Sequence, residues 1–112
     1  MTIFEKILNK EIPANIAFEN EHVLAFHDIS PQAKVHVLVI PKTKIESFVQ
    51  VKSSEALVLA EVMKGVSLTA ESLGLDKNGC RVAFNCGEHG GQTVDYLHTH
   101  ILGGEKLAAW SE

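Results

Sequence analysis

The sequence has no excess of positive charge and no long apolar run. Its 14 acidic residues outnumber 10 lysines and arginines, and a net charge of −4 offers no basic surface for a nucleic acid backbone. No apolar run is long enough to span a bilayer, and residues 1–10 lack the basic segment and apolar core of a secretion signal. We therefore expect a cytoplasmic protein that binds no nucleic acid and no membrane, although histidines and backbone amides can still bind one or two phosphates.

Cysteine is also scarce. Cys80 and Cys86 are the two thiols, and they have neither a second pair to complete a zinc site nor the CxxC spacing of a redox motif. We expect both to be reduced and structural. A length of 112 residues, 46% of them hydrophobic, fits one compact domain spanning residues 1–112.

The apolar pattern predicts a short first helix and five strands. Apolar residues at helical spacing in residues 3–8 are followed by Ile12 and Pro13, and a residue before proline avoids the helical region. Runs rich in β-branched or alternating residues predict strands. These runs lie at residues 15–19, 23–28, 35–40, 80–85 and 96–102.

A longer amphipathic helix is predicted between the third and fourth strands. Ser53 or Ser54 can cap its start, and Gly74 can end it in the left-handed conformation. Its apolar stripe consists of Leu59, Val62, Met63, Val66, Ala70 and Leu73. One such helix covers one face of a sheet, and short connections favour antiparallel pairing. The predicted fold class is α+β, a five-stranded antiparallel sheet with one main helix packed on one face and a short N-terminal helix.

Two histidines lie two residues apart in the last predicted strand. Strand periodicity puts Tyr96, His98, His100 and Leu102 on one face, with roughly 6.5 to 7 Å between the two histidine positions. Both imidazoles can then address one phosphate or one metal ion. By itself this pair also fits two surface histidines on a half-exposed strand.

A glycine-rich loop, residues 86–93, immediately precedes this strand. Its three glycines allow a ligand to approach the backbone closely. The amides of Gly91 and Thr93 can point at a phosphoryl oxygen, and the hydroxyl of Thr93 is a further donor. No Gly-Lys-Ser/Thr follows, and the loop enters a strand instead of a helix, so kinase-like P-loop chemistry is not expected.

These segments together resemble the histidine-triad (HIT) family, whose motif is His-φ-His-φ-His-φ-φ with φ apolar. The resemblance extends over nearly the whole chain in order, at residues 26–33, 36–42, Asn85, 90–93 and 96–102. It is strongest to the nucleotide-binding, purine nucleoside phosphoramidase branch. It implies a hydrolase of P–N bonds in nucleoside phosphoramidates or of related nucleotide esters. It also implies a homodimer whose sheet continues across the two subunits, with a purine nucleoside monophosphate site in each.

The resemblance also implies roles for individual residues. His98 matches the family's nucleophile, and His100 matches the last triad histidine, which contacts phosphate and can pass a proton. Asp28 matches the carboxylate that accepts hydrogen bonds from the ribose hydroxyls. The remaining nucleotide-binding positions are Phe4, Ile7, Ile12, Phe26 and Ile29 for the base, Asn85, Gly91, Gln92 and Thr93 around the phosphate, and Trp110, which reaches towards the partner's site.

The implied chemistry suits a neutral imidazole. With an ordinary pKa of about 6.5, most of the His98 ring is neutral at pH 7. If one ring nitrogen donates to a backbone carbonyl, the other presents its lone pair to the phosphate. In-line attack would expel the amine and leave a nucleotidyl-histidine for water to hydrolyse. No metal is required.

The sequence departs from the family pattern at three positions. Tyr96 replaces the first triad histidine, and a phenol with a pKa near 10 does not readily take an extra proton. Tyr96 is therefore a weak link in a proton relay from His36 through that position to His98, and we expect His36 and Tyr96 to have supporting catalytic roles. Thr99 stands at an apolar position, where its hydroxyl needs a partner. Glu105 stands where many relatives have a basic residue.

Two other interpretations remain open. The protein could be a nucleotide-binding regulatory dimer in which turnover is incidental. Alternatively it could bind zinc through His36, His98 and His100, since three histidines with an open position form a catalytic zinc site. No acidic partner for these histidines is evident in the sequence, and the glycine loop suits an anion better than a cation.

Overall fold

The computed structural model describes residues 1–109 and confirms the α+β fold. All strand pairs are antiparallel, in the order β1-β2-β3-β5-β4. The elements are α1 (Ile3–Leu8), β1 (Ile16–Glu19), β2 (Val23–His27), β3 (Val35–Pro41), two 3-10 turns (Phe48–Gln50 and Ser53–Glu55), α2 (Ala56–Ser72), β4 (Arg81–Phe84) and β5 (Thr99–Gly103). No helix in residues 1–109 is long and apolar enough to cross a membrane.

The short helix α1 is fixed at its start by a capping box. The Thr2 hydroxyl accepts from the backbone N–H of Glu5 at 3.2 Å, and the Glu5 carboxylate accepts from the N–H of Thr2 at 2.9 Å. Phe4 is the buried residue of this helix. The helix is followed by Lys10, which has a left-handed φ of 61°. Capping thus aims the Phe4 ring at the sheet.

The central strand β3 separates two hydrophobic cores. Val37 and Val39 pack with residues of α2, in what we call the α2-side core. Leu38 and Ile40 point to the opposite face and pack with Phe4, in the α1-side core. The predicted buried strand is therefore confirmed, with both of its faces covered.

Helix α2 packs through small residues that the predicted stripe omits. Its buried residues are Val62, Gly65, Val66 and Thr69. Met63, which the stripe included, is 41% exposed. A Cβ added to Gly65 would lie 2.6 Å from Cγ2 of Val23 in β2, so the absence of a side chain allows the helix to approach the sheet closely.

The ends of α2 agree only in part with the sequence prediction. Gly74 has the predicted left-handed φ of 74°. The predicted capping by Ser53 or Ser54 is wrong, because both lie within a 3-10 turn and the N-cap residue of α2 is Glu55. The Glu55 carboxylate accepts from the backbone N–H of Lys52 at 2.8 Å.

The last strand begins later than predicted, at Thr99 instead of Tyr96. The N–H of Leu97 bonds the carbonyl of Ile45 at 2.6 Å, outside the sheet ladder, because β4 ends at Phe84 and offers no further pairing. The alternation of side chains nevertheless continues upstream of β5. Tyr96 lies in the α1-side core and Leu97 in the α2-side core.

Candidate active site

Three histidines meet on the α1 side of the sheet, where β3 and β5 are paired. The register places Leu38 opposite His100 and His36 opposite Leu102, so His36 and His100 are diagonal neighbours on the same face. The ring centroids of His98 and His100 are 5.1 Å apart, and those of His36 and His100 are 5.2 Å apart. The sheet register thus brings His36 beside His100, while His98 lies next to His100 through the alternation that precedes β5.

The orientation of the His98 ring is set by its own backbone neighbourhood. Nδ1 lies 2.7 Å from the carbonyl oxygen of Tyr96. Since a carbonyl only accepts, Nδ1 carries the proton and Nε2 keeps a lone pair. The ring is only 5% exposed and packs edge-on against Phe4, at a centroid distance of 5.1 Å. Burial lowers the pKa of His98, while the bond to Tyr96 and the charge of Asp28 oppose this shift.

His36 and His100 form a hydrogen-bonded pair of imidazoles. Nε2 of His36 lies 2.9 Å from Nδ1 of His100, and Nδ1 of His36 accepts from the backbone N–H of Gln32 at 3.1 Å. Burial lowers the pKa of His100 to about 4, with smaller contributions from the nearby rings of His98 and His36. His100 is therefore neutral at pH 7.

Asp28, which the family resemblance assigned to the ribose hydroxyls, lies beside this pair of imidazoles. The sequence did not predict that it is close to His36. One carboxylate oxygen accepts from the N–H of Ser30 at 2.8 Å, and the other lies 3.5 Å from Nε2 of His36. The hairpin register could have revealed it: His27 pairs with Val37, and the N–H of Asp28 bonds the carbonyl of His36 at 2.9 Å. A carboxylate is thus available where a nucleotide's ribose or a cation could be bound.

The donor set of Asp28, His36 and His100 has a composition that could suit a metal ion, since its ligand atoms lie within 4.8 Å of one another. This set differs from the histidine-only zinc site that the sequence left open. In either set His36 is a poor ligand in the observed geometry. Its Nδ1 accepts a backbone N–H, so the neutral ring carries its proton on Nε2 and has no lone pair there for a metal.

Tyr96 does not bridge the histidines. Its hydroxyl donates to the carbonyl oxygen of Pro41, and the side chain is buried in the α1-side core. Burial, followed by the charge of Glu5, raises the pKa of Tyr96 to about 12. The relay from His36 through Tyr96 to His98 is not formed, because His36 bonds His100 instead. The backbone carbonyl of Tyr96, not its hydroxyl, is hydrogen-bonded to His98.

The glycine-rich loop is closed by hydrogen bonds of its own. The side-chain amide of Asn85 donates to the carbonyl of Gly90 at 2.8 Å. The predicted free amide of Gly91 instead donates to the carbonyl of Glu88 at 3.1 Å, because the loop turns back on itself there. Gly91 has a left-handed φ of 78°, which a side chain would strain. Thr93 is exposed.

The side chain of Gln92 is occupied by the loop and its neighbours. Its carbonyl oxygen accepts from the N–H of Gly87 at 2.9 Å. Its amide nitrogen donates to the carbonyls of Glu46 at 2.7 Å and Val94 at 3.0 Å. Gln92 therefore holds the loop against residues 45–47, and this leaves its side chain no free donor for a nucleotide.

The residues predicted to line a base pocket are partly brought together. Phe4 and Phe26 pack edge-to-face at a centroid distance of 5.5 Å in the α1-side core. Ile7 and Ile12 are half-buried and line a groove of about 850 Å³ beside α1, which neither His98 nor His100 lines. Ile29 is 93% exposed. Trp110 lies outside the described residues.

Comparison with known sequences places this arrangement in a family context. The sequence profile of the HIT domain matches residues 9–107. A purine nucleoside phosphoramidase of Escherichia coli is 40% identical over 106 residues, which are 95% of this chain and 89% of the relative. An HIT-like protein of Synechococcus elongatus is 45% identical over 107 residues, 96% of this chain and 93% of that protein.

Solved structures agree with these sequence relatives. A histidine triad protein from Clostridium difficile superposes with a TM-score of 0.92 at 40% identity and covers 97% of this chain and 95% of its own. An HIT family hydrolase from Legionella pneumophila gives a TM-score of 0.91 at 39% identity, with 96% of each chain covered. The likeness therefore covers the fold as well as the sequence.

Proposed function

This chain belongs to the HIT domain family, and on that premise we propose that it is a purine nucleoside 5′-phosphoramidase with His98 as its nucleophile. The observation that carries the proposal is the 2.7 Å bond from Nδ1 of His98 to the carbonyl oxygen of Tyr96. It fixes the proton on Nδ1 and leaves the Nε2 lone pair for phosphorus. The 40% identical Escherichia coli relative carries the name of this activity.

The reaction proceeds in two displacements at phosphorus. Nε2 of His98 forms a bond to phosphorus while the P–N bond breaks and the amine departs with its electron pair and one added proton. Water then attacks the nucleotidyl-His98 adduct, so that the nucleoside monophosphate leaves and the free imidazole returns. The His100 ring, 5.1 Å from that of His98 between centroids, donates a hydrogen bond to a phosphoryl oxygen in this proposal. Each such donor is worth roughly 3 to 4 kcal/mol in other enzymes.

We assign the nucleotide contacts to residues that are exposed or half-buried near the histidines. The Asp28 carboxylate, half-buried beside His36, accepts from the ribose hydroxyls. The exposed Ile29, which follows Asp28 in the chain, would be covered by the base. Ile7 and Ile12 line the groove beside α1 and are not part of this contact. Thr93 donates to the phosphate from the exposed end of the glycine-rich loop. Gln92 supports that loop from within.

We also propose a homodimer in which the sheet continues across β4. The strand order leaves β4 at one edge of the sheet, paired with β5 on one side. An edge strand presents a row of backbone donors and acceptors to a second strand. Val82, near the middle of β4, is 46% exposed, which favours contact with a partner copy. Analytical ultracentrifugation should give twice the monomer mass of 12.2 kDa.

The direct test is to trap the covalent adduct. Brief incubation with adenosine 5′-phosphoramidate, acid quenching and intact-mass analysis should show one adenylyl group on the wild-type chain and none on His98→Ala. His22→Ala, at an exposed position between β1 and β2, is the matched control and should retain adduct and turnover. Unchanged release of ammonia by His98→Ala would remove His98 as the nucleophile.

Chelation separates this mechanism from zinc chemistry. Because the proton on Nε2 of His36 disfavours a metal ligand there, turnover should survive dialysis against a chelator. Loss of activity that added zinc restores would favour the metal alternative. The same preparation serves both measurements.

A further inference from the structure

A chain of hydrogen bonds connects a backbone amide to the last triad histidine. It starts at the N–H of Gln32, which points at Nδ1 of His36 at 3.1 Å. A backbone N–H only donates, so Nδ1 of His36 must present its lone pair and the ring proton must lie on Nε2. Nε2 in turn lies 2.9 Å from Nδ1 of His100. That nitrogen must then be the acceptor, and the proton of a neutral His100 lies on Nε2.

We propose that the Gln32 amide, acting through His36, holds His100 as a neutral imidazole protonated on Nε2 alone. This inference rests on the proposed function for its catalytic meaning, but the tautomers themselves do not. His36 is then a positioning residue and not a member of a proton relay. His100 offers the phosphate a hydrogen bond from Nε2 and carries no positive charge.

The same hydrogen bonds prevent His36 from passing on a proton to His100. If His100 gave its Nε2 proton to the departing amine, Nδ1 of His100 would take the Nε2 proton of His36. His36 would then need a new proton, and its Nδ1 faces the N–H of Gln32. The added proton on the amine therefore comes from water, not from His100, and the hydroxide left by that water is consumed when the nucleotidyl-His98 adduct is hydrolysed.

Charged and titratable neighbours act on this pair in opposite directions. The Asp28 carboxylate lies 3.5 Å from Nε2 of His36, and its charge raises the pKa of His100. Burial, and to a smaller extent the rings of His98, at 5.1 Å, and of His36, lower the pKa of His100 to about 4. A proton on Nδ1 of His100 would also point at the Nε2–H of His36. The neutral state of His100 therefore agrees with the hydrogen bonds, and burial together with the neighbouring rings outweighs the charge of Asp28.

Long-range ¹H–¹⁵N correlation spectra of the ¹⁵N-histidine-labelled protein test the tautomers without any substrate. At pH 7 we expect the proton on Nε2 in His36 and His100 and on Nδ1 in His98. The exposed loop residue His89 serves as the reference, with its proton shared between both nitrogens. A His100 ring protonated on Nδ1, or on both nitrogens, would overturn the inference even if the protein hydrolyses phosphoramidates.

Two variants of His36 test the positioning role. His36→Gln keeps a side-chain N–H that can face His100, and turnover should stay within about threefold of wild type, whereas His36→Phe keeps the ring shape and loses the bond. In His36→Phe, kcat should fall about tenfold with KM nearly unchanged, since one bond in the transition state is weakened. The His100 resonances should also show both tautomers. A His36→Phe protein with the wild-type tautomers and the wild-type kcat would contradict the proposal. If neither the wild type nor any variant hydrolysed phosphoramidates, the proposed function would be wrong, but the measured tautomers of His36 and His100 would still support this inference.

Discussion

The hydroxyl of Tyr96 donates a hydrogen bond to the carbonyl oxygen of Pro41, away from the three histidines. The residue that replaces the family's first triad histidine therefore supports the end of β3 and takes no part in a side-chain relay. Its backbone carbonyl still orients His98. Any residue with the same backbone conformation supplies that carbonyl, which explains how the chain tolerates tyrosine there.

Replacing Tyr96 with phenylalanine should lower stability more than activity. Tyr96→Phe leaves the buried Pro41 carbonyl without its donor, which should cost about 1 to 3 kcal/mol in the free energy of unfolding. Turnover should remain within about threefold, because the variant keeps the backbone bond to His98. Urea unfolding and kcat of the same preparation check both statements.

Restoring histidine at this position should not improve turnover. In Tyr96→His the new ring finds both nitrogens of His36 already bonded, to Gln32 and to His100. We therefore expect an unchanged kcat and reduced stability. A higher kcat, or a shifted pH profile, would show that a relay through residue 96 can form and would contradict this account of His36.

The activity should persist to lower pH than an ordinary histidine allows. Burial lowers the pKa of His98 from its usual value of 6.5. Protonation of Nε2 removes the lone pair, so kcat/KM should fall to half of its plateau value at a pH below 6.5. The pH profile of kcat/KM reports the free enzyme and so reports this group. A half-maximal rate at or above pH 6.5 would contradict the predicted direction.

The sequence was sufficient to predict the helices and strands but not the contacts between them. Period-two and period-3.6 patterns predicted every strand and both helices, because burial of alternating apolar residues determines them. They did not predict that Asp28 faces His36, since that depends on the register of two strands. They also did not predict that the amide of Gly91 donates to a carbonyl of its own loop. Glycine adopts many backbone conformations, and the sequence does not show whether its N–H points to a ligand or to a neighbouring carbonyl.

The packing of α2 was predicted less well, for a reason that leads to a test. A stripe of apolar side chains ignores glycine, yet Gly65 is where the helix comes closest to the sheet. In Gly65→Ala the added Cβ would lie 2.6 Å from Cγ2 of Val23, a short side chain on a buried strand that has little freedom to move away. We expect the free energy of unfolding to fall by about 1 to 2 kcal/mol, although alanine has a higher helix propensity than glycine by about 1 kcal/mol.

The control for this substitution lies on the exposed side of the same helix. Ser67→Ala, at an exposed position, should slightly raise the urea midpoint through helix propensity alone. If Gly65→Ala matched Ser67→Ala in stability, the close approach to Val23 would be relaxed in solution. After subtraction of the different helix propensities of glycine and serine, the measured difference between the two variants gives the packing contribution.

Thr99 illustrates a polar group that the core accommodates at a cost. It begins β5 opposite Val39 and Phe84 and is fully buried. Within residues 1–109 its hydroxyl oxygen has no hydrogen-bond partner. Valine has nearly the same shape, so Thr99→Val should remove an unsatisfied hydroxyl without leaving a cavity. The free energy of unfolding should rise by about 1 to 2 kcal/mol.

Thr69 in α2 provides the matched comparison, because it is equally buried and its hydroxyl donates to the carbonyl of Gly65 at 2.7 Å. Thr69→Val removes a hydroxyl that has a hydrogen-bond partner. Its free energy of unfolding should therefore rise less than that of Thr99→Val, or should fall. Chemical unfolding of both variants alongside wild type gives the comparison. If Thr99→Val is the less stable of the two, the Thr99 hydroxyl has a partner in solution, such as a buried water, and the departure from the family's apolar position is then compensated locally.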